Sequence, residues 1–105
     1  MLIRPINESD NKHIAVILRQ VLIEMDIPRK GSAFEDPEID KMYESYQSNR
    51  SIYFVVEENK KILGGAGINP LRDGDLDICE LQKMYFHKSI RGRGIGDKII
   101  ELCLN

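Results

Sequence analysis

Between residues 14 and 25, apolar side chains recur at intervals of three and four: Ile14, Ile17, Leu18, Val21, Leu22 and Met25. This spacing marks one stripe of an amphipathic helix. Asn7, Ser9 and Asp10 precede it as candidate caps, and Pro28 limits how far it can run. Ahead of it, Met1 to Arg4 alternates as a short strand that stops at Pro5. A loop with Gly31 and Ser32 follows the helix. A second helix is expected from Asp36-Pro37, with the proline in its first turn, Ile39, Met42, Tyr43 and Tyr46 on its apolar face, and Ser48 to Arg50 closing it.

The period then changes. Ile52 to Glu57 is rich in β-branched and aromatic residues and predicts a strand; Glu58, Asn59 and Lys60 form a turn, and Ile62 to Ile68 is its hairpin partner. Gly64, Gly65 and Gly67 are unusual inside a strand and predict a bulge or close approach by another group. Pro70 to Asp75 is a polar turn. Leu76 to Phe86 is a third long strand, with Ile78, Leu81, Met84 and Phe86 as its apolar positions. Its alternation breaks between Leu81 and Met84, which predicts a bulge or a change of face. From about Arg93 the pattern is helical, with Ile95, Ile99, Ile100, Leu102 and Cys103 apolar. The order β-α-α-β-β-β-loop-α, with hairpin-linked strands, predicts an α+β fold: a mostly antiparallel sheet with flanking helices.

A chain of 105 residues is one domain rather than two. The last helix carries an apolar face with nothing after it to cover that face, and the sheet is left with an unpaired edge. Residues 1–105 are therefore expected to be a single, incomplete domain, the front part of a larger one. A homodimer through the open edge is a further expectation.

The net charge of −2 gives no sign of a general polyanion binder, and with no wider basic face bearing aromatics, no nucleic-acid partner is expected. Positive charge is instead local: Lys83, Lys88, Arg91, Arg93 and Lys98 stand against Asp97 alone. Cys79 and Cys103 lack metal-ligand spacing and fall on strand-like and helical apolar positions, as buried thiols do; no metal is expected. No signal peptide opens the chain, and no apolar run approaches the ~20 residues of a membrane span. A reducing cytoplasm and no membrane partner are the expectations.

The local charge surrounds Arg91-Gly92-Arg93-Gly94-Ile95-Gly96. Alternate glycines let a backbone approach a bulky ligand, and the helix that follows turns its free N–H groups toward the same loop. These features suit a phosphate or diphosphate. The alternative is a tight strand-to-helix turn, for which one glycine would suffice. The Walker pattern is absent, and Gly92-x-Gly94-x-Gly96 is not the dinucleotide fingerprint. A third pattern, Arg/Gln-x-x-Gly-x-Gly/Ala, is met at every fixed position by Arg91, Gly94 and Gly96. With the strand ending at Met84-Tyr85-Phe86 before it and a helix after it, the segment resembles the coenzyme A-binding motif of the GNAT superfamily of N-acetyltransferases. The upstream element order matches that fold along the whole chain.

The resemblance implies a GNAT-like fold, cut off after the coenzyme A-binding helix, and transfer of an acetyl group from acetyl-CoA to a primary amine. It implies that the backbone of Met84, Tyr85 and Phe86 holds the pantetheine arm as a neighbouring strand would. The diphosphate then falls to Arg91, Gly92, Arg93, Gly94, Ile95 and Gly96. It also implies that the acceptor, a small molecule or peptide amine, meets the first two helices and their loop. Arg29, Lys30, Glu35, Asp36, Glu38, Asp40, Tyr43 and Tyr46 stand there, and the acids from Glu35 to Asp40 are either an attraction for a cation or a solvated helix start. The family's tyrosine acid would lie beyond Asn105. One departure is Ser89, close to where the family often carries a proline.

Amide formation needs a base for the amine proton and donors for the oxyanion. Glu80, in a largely apolar strand run leading to the loop, is the candidate base; the plainer reading is a solvated strand residue or a partner of Lys83. His87 is the other titratable group nearby and reads as a surface residue at the strand end. The alternative function is a non-catalytic acyl-CoA sensor or interaction module.

Overall fold

A computed structural model of the chain describes residues 1–26, 36–47, 51–70 and 79–104. Strand β1 (Leu2–Pro5) leads through a 3-10 turn (Glu8–Asp10) into helix α1 (Asn11–Glu24). A second 3-10 turn (Pro37–Lys41) runs into the single-turn α2 (Met42–Ser45). Strands β2 (Ile52–Glu58), β3 (Lys61–Pro70) and β4 (Cys79–Phe86) follow, then a 3-10 turn (Lys88–Ile90) and helix α3 (Ile95–Leu104). The four strands form one antiparallel sheet in the order β1-β2-β3-β4.

Helices cover both faces of the sheet. On one, α1 contributes Ile14, Ala15, Leu18 and Leu22, and the α2 region contributes Ile39, Met42 and Tyr46, against Tyr53 and Val55 of β2. On the other, Ile95 and Ile99 of α3, with Ile90, pack on Phe54, Val56 and Ala66. Strand β2 is therefore apolar on both sides, which is why residues 53–56 read as a continuous apolar run rather than an alternating one. Each fully buried side chain of α1 is worth about 1.5–3 kcal/mol relative to exposure, so this stripe, not local propensity, fixes the helix.

Some expectations shift. Pro5 is inside β1, paired with Phe54; β1 lies at the edge of the sheet, where a strand tolerates the missing donor. Met25 is not part of the buried stripe: it is 56% exposed, because α1 ends at Glu24 and Asp26 turns the chain with φ +60°. The second helix is mostly 3-10, since Asp36 caps it by accepting from the Glu38 N–H at 2.9 Å and Pro37 opens the turn. Helix α3 begins at Ile95, two residues later than the pattern predicts, with Gly96 in its first turn; Ile95 and Ile99 are buried, but Ile100 and Leu102 are exposed. Residues 71–78, and with them the turn and the first part of the predicted third strand, lie outside the described residues, as do the side chains of Cys79 and Cys103.

The glycines of β3 are explained by what faces them. A Cβ on Gly67 would stand 2.5 Å from the Tyr46 ring, and one on Gly65 would stand 2.7 Å from the Phe54 carbonyl and 2.8 Å from the Tyr53 hydroxyl. Bare backbone at these two positions is the seat for two buried tyrosines, whose rings lie with centroids 5.2 Å apart.

Candidate acyl-carrier site

Two hollows meet at the end of β4. One, of about 230 Å³, is lined by Phe86, Ile90, Arg91, Gly92, Gly94, Ile95, Gly96 and Asp97. The other, of about 340 Å³, is lined by Val21, Met25, Met84, Tyr85, Phe86 and Arg91. Phe86 and Arg91 belong to both, so the two form a path from the glycine loop along the strand.

The loop is bare where a bulky ligand needs it to be. Gly92 (φ +78°) and Gly94 (φ +70°) adopt left-handed conformations, and a Cβ on either would meet nothing within 4 Å. Gly96 sits against β4, where its Cβ would be 3.6 Å from Met84 Sδ. Lys98 N–H donates to the Gly94 carbonyl at 3.2 Å, opening the helical ladder. The N–H groups of Ile95, Gly96 and Asp97 precede that bond and belong to the unsatisfied first turn. They lie in the wall of the open hollow, where an anion is favoured. Asp97 lines the same hollow.

The arginines do something the sequence did not suggest. Arg91 donates through Nε to the Phe86 carbonyl (2.8 Å) and pairs with Glu24 at the end of α1 (2.8 Å). Arg93 pairs with Glu58 at the β2–β3 turn (2.8 Å) and donates to the Ser89 carbonyl (2.9 Å). Both guanidinium groups fasten the loop to its surroundings, and Glu24 and Glu58 offset part of the positive charge. The Ser89 N–H donates to His87 Nδ1 at 3.1 Å, capping the 3-10 turn, and its hydroxyl contacts the same nitrogen at 2.8 Å.

Strand β4 is the edge opposite β1, so its outer backbone faces no strand among the described residues. Tyr85 packs toward the α1 face and Phe86 toward the α3 face, while Met84 is 44% exposed. Glu80 lies on β4 opposite Asn69, upstream of the path; its side chain lies outside the described residues.

The acidic segment is largely committed elsewhere. Asp36 pairs with Lys83 at 2.8 Å, and Asp40 with Arg19 at 2.6 Å. The Lys83 ammonium and the Glu38 N–H hold the Asp36 carboxyl below its ordinary value, and Arg19 does the same for Asp40. Arg29, Lys30 and Glu35 lie outside the described residues. A larger hollow of about 700 Å³ on the α1 side shares no residue with the loop; in it Arg4 donates to both Asp10 and Glu57.

Comparison with known proteins agrees with this geometry. The model of the acetyltransferase (GNAT) family matches residues 19–105. An uncharacterized N-acetyltransferase of Escherichia coli K12, YjgM, is 41% identical over 104 residues. The chain belongs to the GNAT acetyltransferase family. The match to the E. coli protein covers 98% of this chain and 62% of the relative, so this GNAT chain spans about three fifths of that protein's length. A GNAT-family acetyltransferase from Staphylococcus aureus Mu50 superposes with a TM-score of 0.78 at 19% identity, covering 97% of this chain and 63% of the other. A predicted acetyltransferase from Clostridium acetobutylicum, solved with acetyl-CoA, superposes at 0.71 with 21% identity, covering 99% and 71%. The fold is therefore GNAT-like, an antiparallel four-strand sheet with flanking helices that is short of the length of these solved chains. Among the described residues, no helix is long and apolar enough to cross a membrane.

Sequence reasoning missed Tyr53, Glu24 and Glu58. The only signal for the first was the glycine pair in β3, which announced a close neighbour without naming it. Nothing in the local sequence pairs Glu24 or Glu58 with an arginine.

Proposed function

We propose that the protein is an acetyl-CoA-dependent N-acetyltransferase acting on a primary amine. The observation that carries this reading is the open path from the left-handed glycines to the free edge of β4. Its loop end suits a diphosphate and its strand end suits an extended amide-bearing arm. The Clostridium protein solved with acetyl-CoA supports the choice of ligand.

In this reading the amides from Gly92 to Gly96 hold the diphosphate, and the outer edge of Met84, Tyr85 and Phe86 pairs with the pantetheine amides. Arg91 and Arg93 hold the loop in shape and add charge. The amine nitrogen attacks the thioester carbon, the C–S bond breaks, and the sulfur leaves as thiolate. Glu80 accepts the amine proton, and strand N–H groups beside the thioester carbonyl stabilise the oxyanion. The thiolate takes its proton from an acid outside the 105 residues.

The test is a calorimetric titration of the full-length protein with acetyl-CoA, then thiol release with a panel of primary amines. Saturable binding is expected, and it should be lost in Gly94→Trp. A Cβ at this position meets nothing within 4 Å, and the left-handed backbone adds roughly 1–2 kcal/mol for a non-glycine residue. Glu80→Gln should bind acetyl-CoA but release thiol at least tenfold more slowly. No binding by the unsubstituted protein would falsify the proposal.

A further inference from the structure

Strand β4 changes step in its middle. Gly65 pairs with Tyr85 and Gly67 with Gln82, so Lys83 and Met84 together oppose Ala66. This bulge resets the alternation: Leu81 and Phe86, five residues apart, both pack toward α3, where a regular strand would put them on opposite faces. At its centre Lys83 adopts φ +50°, a conformation a residue with a Cβ resists. Something must hold it there.

The Tyr53 hydroxyl does so. It donates to the Lys83 carbonyl at 2.9 Å from a ring with no exposed surface. Burial raises the phenol well above its ordinary value, so it remains a donor throughout the working range of pH. The ring reaches the carbonyl because Gly65 has no side chain, and a Cβ there would stand 2.8 Å from the hydroxyl oxygen. From outside, Lys83 Nζ is tied to Asp36 at 2.8 Å. The pinned residue lies between Glu80 and the Met84–Phe86 edge, where the acyl end of the path begins.

We infer that Tyr53 is a positioning residue for acyl transfer: its hydroxyl fixes the β4 bulge and so aims the strand's outward amides at the thioester carbonyl. This rests on the acetyl-CoA reading above. It assigns a role to a residue on β2 that is not among those lining the two hollows.

The test uses the full-length protein and acetyl-CoA labelled with carbon-13 at the carbonyl. Bound to the unsubstituted protein, the carbonyl resonance should move downfield as the amides polarise it. Tyr53→Phe keeps the ring and removes the pin. It should bind coenzyme A within about twofold, because the loop is untouched, yet lose at least half of the carbonyl displacement. Tyr46→Phe, whose hydroxyl bonds the Gln82 side chain instead, should keep it. Lys83→Gly added to Tyr53→Phe should restore the displacement, since glycine adopts this φ unaided. Should Tyr53→Phe not fold, Lys83→Val attacks the bulge with the pin in place, and it should lose the displacement too.

A full displacement in Tyr53→Phe, or in Lys83→Val where that variant is needed, overturns the inference alone. So does a bound carbonyl that does not move in the unsubstituted protein. Failure of the unsubstituted protein to bind acetyl-CoA overturns the proposed function and this inference with it.

Discussion

Gly67→Ala tests the packing that seats β3 beneath the tyrosines. The new methyl would lie 2.5 Å from Tyr46 Cζ, 2.6 Å from Cε1 and 2.7 Å from the hydroxyl oxygen. Carbon atoms rest at roughly 3.5–4.0 Å, so the ring must retreat by about an ångström. It has nowhere to go: Tyr46 is 3% exposed, its ring lies against Tyr53, and its hydroxyl is 3.0 Å from Gln82 Oε1. Overpacking costs about 1–3 kcal/mol, and loss of the Tyr46–Gln82 bond adds about 1. A total near 3 kcal/mol lowers the melting temperature by roughly 6–12 °C in a domain of 150–250 residues. The assay is thermal unfolding of the full-length protein followed by circular dichroism, as a cycle with Tyr46→Leu. Tyr46→Leu alone costs about 2 kcal/mol. The pair should cost less than the sum of the two by at least about 1 kcal/mol, because the smaller side chain vacates the space the methyl needs. A Gly67→Ala variant melting within 2 °C of the unsubstituted protein, or strict additivity in the cycle, would refute the reasoning.

Three other outcomes are expected. Glu58→Gln frees Arg93 from its 2.8 Å partner; coenzyme A affinity by calorimetry should rise a few-fold, more at low salt, while stability changes by under about 1 kcal/mol because the pair is partly exposed. Unchanged or weaker binding would show that Arg93 serves the loop alone. Burial works to raise the Asp10 carboxyl, but its bonds to Arg4 (2.7 Å) and the Asn7 N–H (2.7 Å) outweigh this and leave it below the ordinary value. A depressed carboxyl contributes stability that is complete above its unfolded value of about 3.9 and lost as pH falls through the folded one. Asp10→Asn should therefore cost about 1–3 kcal/mol in urea unfolding at pH 7, with the gap to the unsubstituted protein closing below about pH 4. A gap that persists at pH 2 would place the effect in packing instead. Gly92→Ala should cost only the roughly 1–2 kcal/mol of its left-handed backbone, since the space beside it is open; a larger loss in the same melting assay would mean that the hollow is filled.

What the sequence could reveal followed from periodicity. The stripe from Ile14 to Leu22 and the apolar run at 53–56 correspond to the helix and the central strand, and of the two readings of the break between Leu81 and Met84, a bulge or a change of face, the structure shows a bulge. The glycine loop was visible because a positive φ and a bare backbone demand glycine. The failures lie where long-range contact decides. Met25 continues the helical spacing, yet it falls beyond the last turn. The ion pairs of Arg91 and Arg93 could not be read, because nothing local names Glu24, 67 residues away, or Glu58, 35 residues away, as their partners. The partners of Asp36 and Asp40, which read as an attraction for a cation or a solvated helix start, stayed hidden because Lys83 and Arg19 reach them only through the fold. Tyr53 is invisible for the same reason: its hydroxyl meets a carbonyl 30 residues on, and only the paired glycines of β3 hint at its size.

In the proposed function, the backbone from Met84 to Gly96 is the binding surface for coenzyme A. Amide resonances of the nitrogen-15-labelled full-length protein, followed during titration with coenzyme A, test this most directly. The prediction is that Gly92, Arg93, Gly94, Ile95 and Gly96 shift most, with Met84, Tyr85 and Phe86 next, and that all saturate together. Saturable binding that moves amides around Arg4, Asp10 and His13 instead, and leaves the loop unchanged, would contradict it.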